Sequence, residues 1–267
     1  MTEITDRADV ERILHDPAFV VAEADPTATR PADRFRARAS RFANGAEHEG
    51  RRRRLEAMLA AMDPDVLATV ARSRTRAGAG ADAEEVAARV PVATLAERLG
   101  FAEPGAAPPL VAALADHYPT GSPSAAADAA AVRLVAAARE HAHPDTSATA
   151  DADAREEDAA LRVQLLVQAH AATAGLIAGA LARPEAGDPD VPSAFLVEAV
   201  LRDAPPVRRT RRISSEGDPL LLHLDGPDRE AADAPRLLAF GAGPRACPAS
   251  RHALAIATAV VDEVRGC

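Results

Sequence analysis

The chain has no lysine, no tryptophan, few aromatic residues and two cysteines. The missing lysines leave all side-chain cationic charge except histidine's on arginine, which reads as a nucleotide-composition bias of the source and carries no functional signal. With aromatics at 3% and tryptophan absent, the core must be built largely from Ala, Leu and Val, and this favours a helical protein with close helix contacts. Two cysteines, one of them the final residue Cys267, argue against a disulfide framework and suit a reducing cytoplasm. No basic-then-apolar segment opens the chain, and no run reaches the ~20 apolar residues of a membrane span. The expectation is therefore a soluble, cytoplasmic protein with no membrane partner. A net charge of −9 argues against a general nucleic-acid binder, so no nucleic-acid partner is expected.

What is present is 267 residues at 48% hydrophobic content, enough for a sizeable core and for one or two domains. The stretch that organises the rest is Phe240-Gly-Ala-Gly-Pro-Arg-Ala-Cys247-Pro248. Gly241 and Gly243 permit backbone conformations and close approaches that a Cβ would forbid, and Pro244 stiffens the loop. Over residues 249–264 the apolar Ala253, Ile256, Ala257, Val260, Val261 and Val264 recur at three and four, one face of a helix. The spacing puts Cys247 at the N-cap and Pro248 at the first helical position, where a missing N–H costs nothing. A sulfur there faces orphan N–H groups and the positive end of the helix dipole, with Arg245 nearby, and these favour thiolate over thiol. Such a residue is a nucleophile, a metal ligand, or an inert small core residue.

The loop resembles the haem-binding loop of the cytochrome P-450 family, Phe-Gly-x-Gly-x-(His/Arg)-x-Cys-x-Gly. Phe240, Gly241, Gly243, Arg245 and Cys247 match, and Ala249 stands in place of the final Gly, where it crowds the helix against the haem. The resemblance implies haem b with Cys247 as axial thiolate to iron, Phe240 beside the sulfur and Arg245 on a propionate. In that family the thiolate pushes electron density toward O–O cleavage.

Other stretches resemble the same family. Residues 9–17 form a short amphipathic helix stopped by Asp16-Pro17 and followed by Phe19, similar to an early segment of bacterial members. His48 and Arg52 lie four apart on one helical face, similar to a Glu-His-x-x-x-Arg that supplies two propionate contacts. The run Arg51 to Arg54 has two other readings, a solvated basic face or a cationic patch for an acidic redox partner. Residues 63–105 are helical, and 90–101 resemble a packing segment of the family. Residues 104–109 and 119–124 read as linkers, and 125–140 as an Ala-rich helix. His141, His143 and Asp145 suggest a metal site or, in preference, a solvated loop.

Residues 155–182 read as one long helix. Gln168 to Thr173 lies in register with the family's Ala-Gly-x-(Asp/Glu)-Thr-Thr, but the acid position is Ala171 and the alcohol position Ala172. General acid catalysis needs a titratable or hydroxyl group within hydrogen-bond reach. Thr173, His170 or a substrate group are the substitutes, His170 being otherwise a core histidine satisfied by a backbone carbonyl. Residues 195–207 resemble the family's K helix, with Arg202 present and Ala199 at the position of its glutamate partner. Either Glu198 pairs with Arg202 instead, or this core network is remodelled. Residues 208–213 look like a strand carrying a further propionate arginine, Arg212. Leu220 to Leu224 is an apolar strand candidate, and Pro227-Asp-Arg229 resembles a shortened meander.

The expected fold is mainly α with a small β-sheet, a cytochrome P-450-like fold in truncated form. One haem domain is expected over residues 1–267, with a propionate-binding helix at about 46–62, a long central helix at about 155–182, and the Cys-ligand loop and last helix at 240–266. The implied function is a haem-thiolate monooxygenase or peroxygenase acting on a small organic substrate. It would use O2 with electrons from a ferredoxin-type partner, or peroxide. The alternative is a degenerate member that binds haem, a ligand or a partner without turnover.

Overall fold

The computed structural model describes residues 1–78, 80–140, 152–226 and 238–266. The chain opens with strand β1 (Thr2–Ile4) and helix α1 (Arg7–His15), whose N-cap Asp6 accepts the N–H of Asp9 at 3.0 Å. There follow α2 (Pro31–Arg38), α3 (Gly45–Ala60), α4 (Pro64–Ala77), α5 (Ala83–Arg98), α6 (Ala107–His117), α7 (Ala125–Glu140) and α8 (Ala152–Leu181). Helix α9 (Ser193–Asp203), strands β2 (Arg209–Ile213) and β3 (Pro219–His223), and α10 (Ser250–Gly266) complete the order.

Helix α8 is the axis. It packs against α3, α5, α6, α7, α9 and α10, and almost every residue from Ala159 to Val167 is buried, as a helix apolar on nearly all sides must be. By length and composition α8 is also apolar enough to cross a membrane, contrary to the expectation that no segment is. Half of its most apolar window is buried inside the protein, the position of a core helix. Its C-terminal half reaches α9 and the segment that follows it through glycines: a Cβ on Gly179 would stand 3.0 Å from Val200 Cγ1 of α9, and one on Gly175 3.0 Å from Cβ of Pro206 beyond it. Small residues thus set the close helix contacts that a core short of aromatics requires.

Helix α10 lies along α4 and is pinned to the end of α3 by the buried His252. Its Nε2 is within hydrogen-bond distance of the carbonyls of Leu59 (3.1 Å), in the last turn of α3, and Met62 (3.0 Å), just beyond it, where backbone carbonyls run out of helical partners.

The sheet has the order β1-β3-β2. β1 runs parallel to β3 with Thr2 opposite Leu220, and β2 runs antiparallel to β3 with Arg209 opposite His223. The inner face of β3 joins Val10, Ile13 and Leu14 of α1 and Leu238 in a second, smaller core. Alternation along β2 leaves Arg209 and Arg211 exposed and buries Arg212, with Thr210 on the same face as Arg212.

Two readings of the sequence are corrected. Residues 104–109 are not a linker: Pro104–Ala106 form a 3-10 turn, and Pro108 and Pro109 sit in the first turn of α6, where their missing N–H groups are unneeded. Arg202 is not a buried cation in search of a carboxylate. It and Glu198 are both exposed on α9, Ala199 between them is buried, and the nearby Asp203 pairs with Arg183 at 3.0 Å. His141, His143 and Asp145, the segment Pro227 to Arg229, and Cys267 lie outside the described residues.

Candidate functional site

The cysteine loop is shaped by its two glycines. Gly241 and Gly243 have φ of +68° and +66°, in the region that L side chains rarely adopt. At Gly243 a Cβ would also lie 2.9 Å from His15 Cα and overlap the carbonyl oxygen of Leu14, so the loop is seated on the C-terminal end of α1 only because a side chain is missing there. Within the loop the N–H of Cys247 donates to the carbonyl of Phe240 at 2.8 Å.

Cys247 is a free thiol and exposed. It is not the N-cap of α10: the carbonyl of Ala249 accepts the N–H of Ala253 at 2.9 Å, so the helix starts two residues later than the sequence suggests, after a Pro248-Ala249 turn. Although the residue as a whole is exposed, enclosure of its thiol by the surrounding protein pushes the thiol up, against the pull of the Ala249 N–H and of the Arg52 charge. The expected bias toward thiolate is therefore outweighed in the protein alone. The cation acting on the sulfur is Arg52, not the nearer-in-sequence Arg245.

Around this loop the fold gathers cations from three distant elements. Arg52, on α3, donates from Nη1 to the carbonyl of Ala246 (2.6 Å) and from Nε to Glu56 (2.6 Å). Arg245, in the loop, donates from Nη2 to the carbonyl of Ala43 and to Asn44 Oδ1, both at 2.7 Å. Arg212, on β2, donates to its neighbours Arg211 O (2.8 Å) and Thr210 Oγ1 (3.2 Å). His48, one turn before Arg52, is 7% exposed, and Arg212 is 6% exposed.

Their charges act on one another. Burial and the charge of Arg245 bring Arg212 down to about 10, with Arg41 adding to the effect. Burial together with Arg245, Arg52 and Arg212 brings His48 down to about 4. Burial lowers Arg245 as well, helped by Arg41 and Arg52. The carboxylates that act on the group, Glu23 on Arg245 and Glu56 on His48, are both exposed. Among the described residues Arg212 has no carboxylate hydrogen-bond partner, and a buried guanidinium beside other cations is costly unless an anion joins it.

His48, Arg52, Arg212, Phe240, Arg245 and Cys247 are thus brought into one neighbourhood by these hydrogen bonds and mutual charge effects. The arginine run divides instead of forming one solvated face. Arg51 pairs with Glu47 and Glu157, Arg54 pairs with Glu157 and Asp158, and Arg53 is exposed.

Thr173 and His170 stand differently. Thr173 is 3% exposed on the inward side of α8. His170 is half-buried, with the carboxylate of Asp116 on α6 acting on it, and burial lowers its pKa. Its Nδ1 is buried without a hydrogen-bond partner, so the carbonyl-satisfied alternative does not hold for that nitrogen. The sequence reading does not single out Arg41, whose charge reaches both Arg212 and Arg245. Nothing in its local sequence sets it apart from the other arginines.

No family model matches the chain, and no curated protein matches it either. Solved structures do. P450BioI, solved in complex with an acyl carrier protein ligated to hexadec-9Z-enoic acid, is 18% identical with a TM-score of 0.75 over 97% of this chain and 83% of its own. The open cytochrome P-450 Eryk from S. erythraea is 20% identical with a TM-score of 0.71 over 98% and 81%. A cytochrome P-450 from the thermoacidophilic archaeon Picrophilus torridus is 15% identical with a TM-score of 0.74 over 99% and 88%. Likeness of this extent at such low identity is likeness of fold, and the chain is built on the cytochrome P-450 fold in shortened form.

Proposed function

We propose that the chain is a cytoplasmic haem-thiolate oxidoreductase that oxidises a small organic substrate. The observation that carries this reading is the buried Arg212, with no carboxylate among its partners in the described residues, converging with Arg52, Arg245 and His48 beside the free Cys247. This donor set fits haem b, whose two propionates supply the missing negative charge and whose iron takes a sulfur ligand. In the proposal Arg212, Arg245, Arg52 and His48 hold the propionates, Phe240 packs beside the sulfur, and Cys247 ligates the iron.

When bound, a thiolate-ligated haem supplies the activation of O2 or peroxide that substrate oxidation requires. The protein's own part begins at Cys247, which must lose its proton. Coordination favours the thiolate over the thiol, and the Ala249 N–H and Arg52 act in the same direction against burial. Ala171 and Ala172, at the acid and alcohol positions of α8, offer small side chains and no proton. Electrons come from a ferredoxin-type donor, or peroxide replaces donor and O2 together. A carrier-borne substrate is the alternative to a free one, given the complex in which P450BioI was solved.

Titrating the protein with haem, followed by Soret absorbance, tests the reading. One haem per chain is expected, bound more weakly by Arg212→Met, and no uptake overturns it. The alanines at the acid and alcohol positions favour a second reading, a haem protein without turnover. A haem-loaded protein that is silent with both peroxide and a ferredoxin system supports that second reading.

A further inference from the structure

A chain of hydrogen bonds joins the loop before α3 to the middle of α8, and its direction is fixed at one end. The backbone N–H of Ser40, which can only donate, gives its hydrogen to Gln164 Oε1 at 2.7 Å. Gln164 Nε2 is then the donor to Gln168 Oε1 at 3.3 Å. Gln168 Nε2 is in turn the donor to the Tyr118 hydroxyl at 3.4 Å. Amide orientation is normally ambiguous, but a backbone donor at the head of the chain removes the ambiguity for both glutamines. Gln168 is left with one N–H to offer. Gln164 is 2% exposed and Tyr118 5%, whereas Gln168 between them is exposed, so the chain rises from the core to an open face of α8, where Gln168 keeps a spare donor, and returns to the core at Tyr118.

That face is the one on which the acid and alcohol positions lie. At 3.6 residues per turn, Ala171 and Ala172 stand within about 60° of Gln168 around the helix, while His170 is about 160° away and Thr173 about 140°. Ala171 is exposed as well, and Thr173 is buried. The same face adjoins the cation cluster through Ser40, Arg41 and Phe42. Phe42 meets the Tyr118 ring edge-on at 5.0 Å, and the charge of Arg41 acts on Tyr118, Arg212 and Arg245 alike. Burial pushes the Tyr118 phenol up, so it stays neutral and its oxygen remains available to the Gln168 N–H.

We propose that Gln168 donates its remaining N–H to a small oxygen-bearing guest held between α8 and Cys247, a positioning role that Ala171 and Ala172 cannot fill. This rests on the haem reading above. A neutral amide does not titrate near neutral pH, so Gln168 orients the guest or a water beside it and is not itself the acid.

Carbon monoxide on the reduced haem protein is the probe, read by its infrared C–O stretch. A donor aimed at the oxygen lowers that stretch, so Gln168→Leu should move it to higher wavenumber while the visible haem band is retained. Tyr118→Phe keeps the buried ring and releases the amide, and should broaden or split the stretch. An unchanged stretch in Gln168→Leu with the thiolate-type haem band intact overturns the proposal and leaves the haem reading standing. Absence of that band in the unsubstituted protein overturns both.

Discussion

Arg52 and Ala246, 194 residues apart in sequence, are joined by a 2.6 Å hydrogen bond from guanidinium to carbonyl. The bond fixes α3 against the residue that precedes Cys247. A hydrogen bond from a charged donor contributes about 1.5–3 kcal/mol. Arg52→Ala should therefore release bound haem roughly tenfold faster or more, measured by transfer to an apo-globin acceptor, with only a minor change in the far-ultraviolet circular dichroism.

Arg212 separates function from stability. With no carboxylate on its guanidinium among the described residues, its burial is a cost to the haem-free protein, and an apolar residue of similar length removes that cost. Arg212→Met should raise the unfolding free energy of the haem-free protein by about 1 kcal/mol or more and weaken haem binding. Denaturant titration and haem titration read the two effects. A variant destabilised without haem would mean that the arginine is satisfied by the protein alone.

Gly243 offers a steric test of the loop. Its positive φ, and the overlap that a methyl there would make with the Leu14 carbonyl, predict that Gly243→Ala loses about 2–4 kcal/mol. Gly50, inside α3, would meet nothing within 4 Å, and Gly50→Ala should gain about 0.5–1 kcal/mol. Thermal unfolding of the pair checks both signs.

His48 gives the haem-free protein a pH dependence. Its pKa falls from 6.5 to about 4 on folding, so between these values the unfolded chain binds a proton that the folded chain does not. The His48 contribution is fully present above pH 6.5 and is lost as pH falls toward 4. His48→Gln should flatten stability against pH in that window relative to the unsubstituted protein. Haem should shrink the difference, because a propionate beside His48 raises its pKa.

Much of the fold is legible because its helices carry their own periodicity. The Ala-rich α7 and the long α8 stand out from residue pattern alone, and the Gly-x-Gly before Cys247 marks the loop. β1 is not legible, since three residues hold no period and its strand exists only by pairing with Leu220 to Leu222. The prolines at 108 and 109 read as breakers because their place inside the first turn of α6 depends on where that helix begins. At the site, His48, Arg52, Arg212 and Arg245 can be picked out by spacing and resemblance. The part of Gln168 cannot, because it depends on Ser40 and Tyr118, which reach α8 through tertiary packing.

Everything proposed for the site depends on Cys247 being a haem ligand, and the carbon-monoxide difference spectrum of the reduced, haem-loaded protein decides it. The expected spectrum has the long-wavelength Soret band of thiolate-ligated haem, lost in Cys247→Ser. No haem uptake, or the same band in both proteins, would show that Cys247 does not ligate the iron.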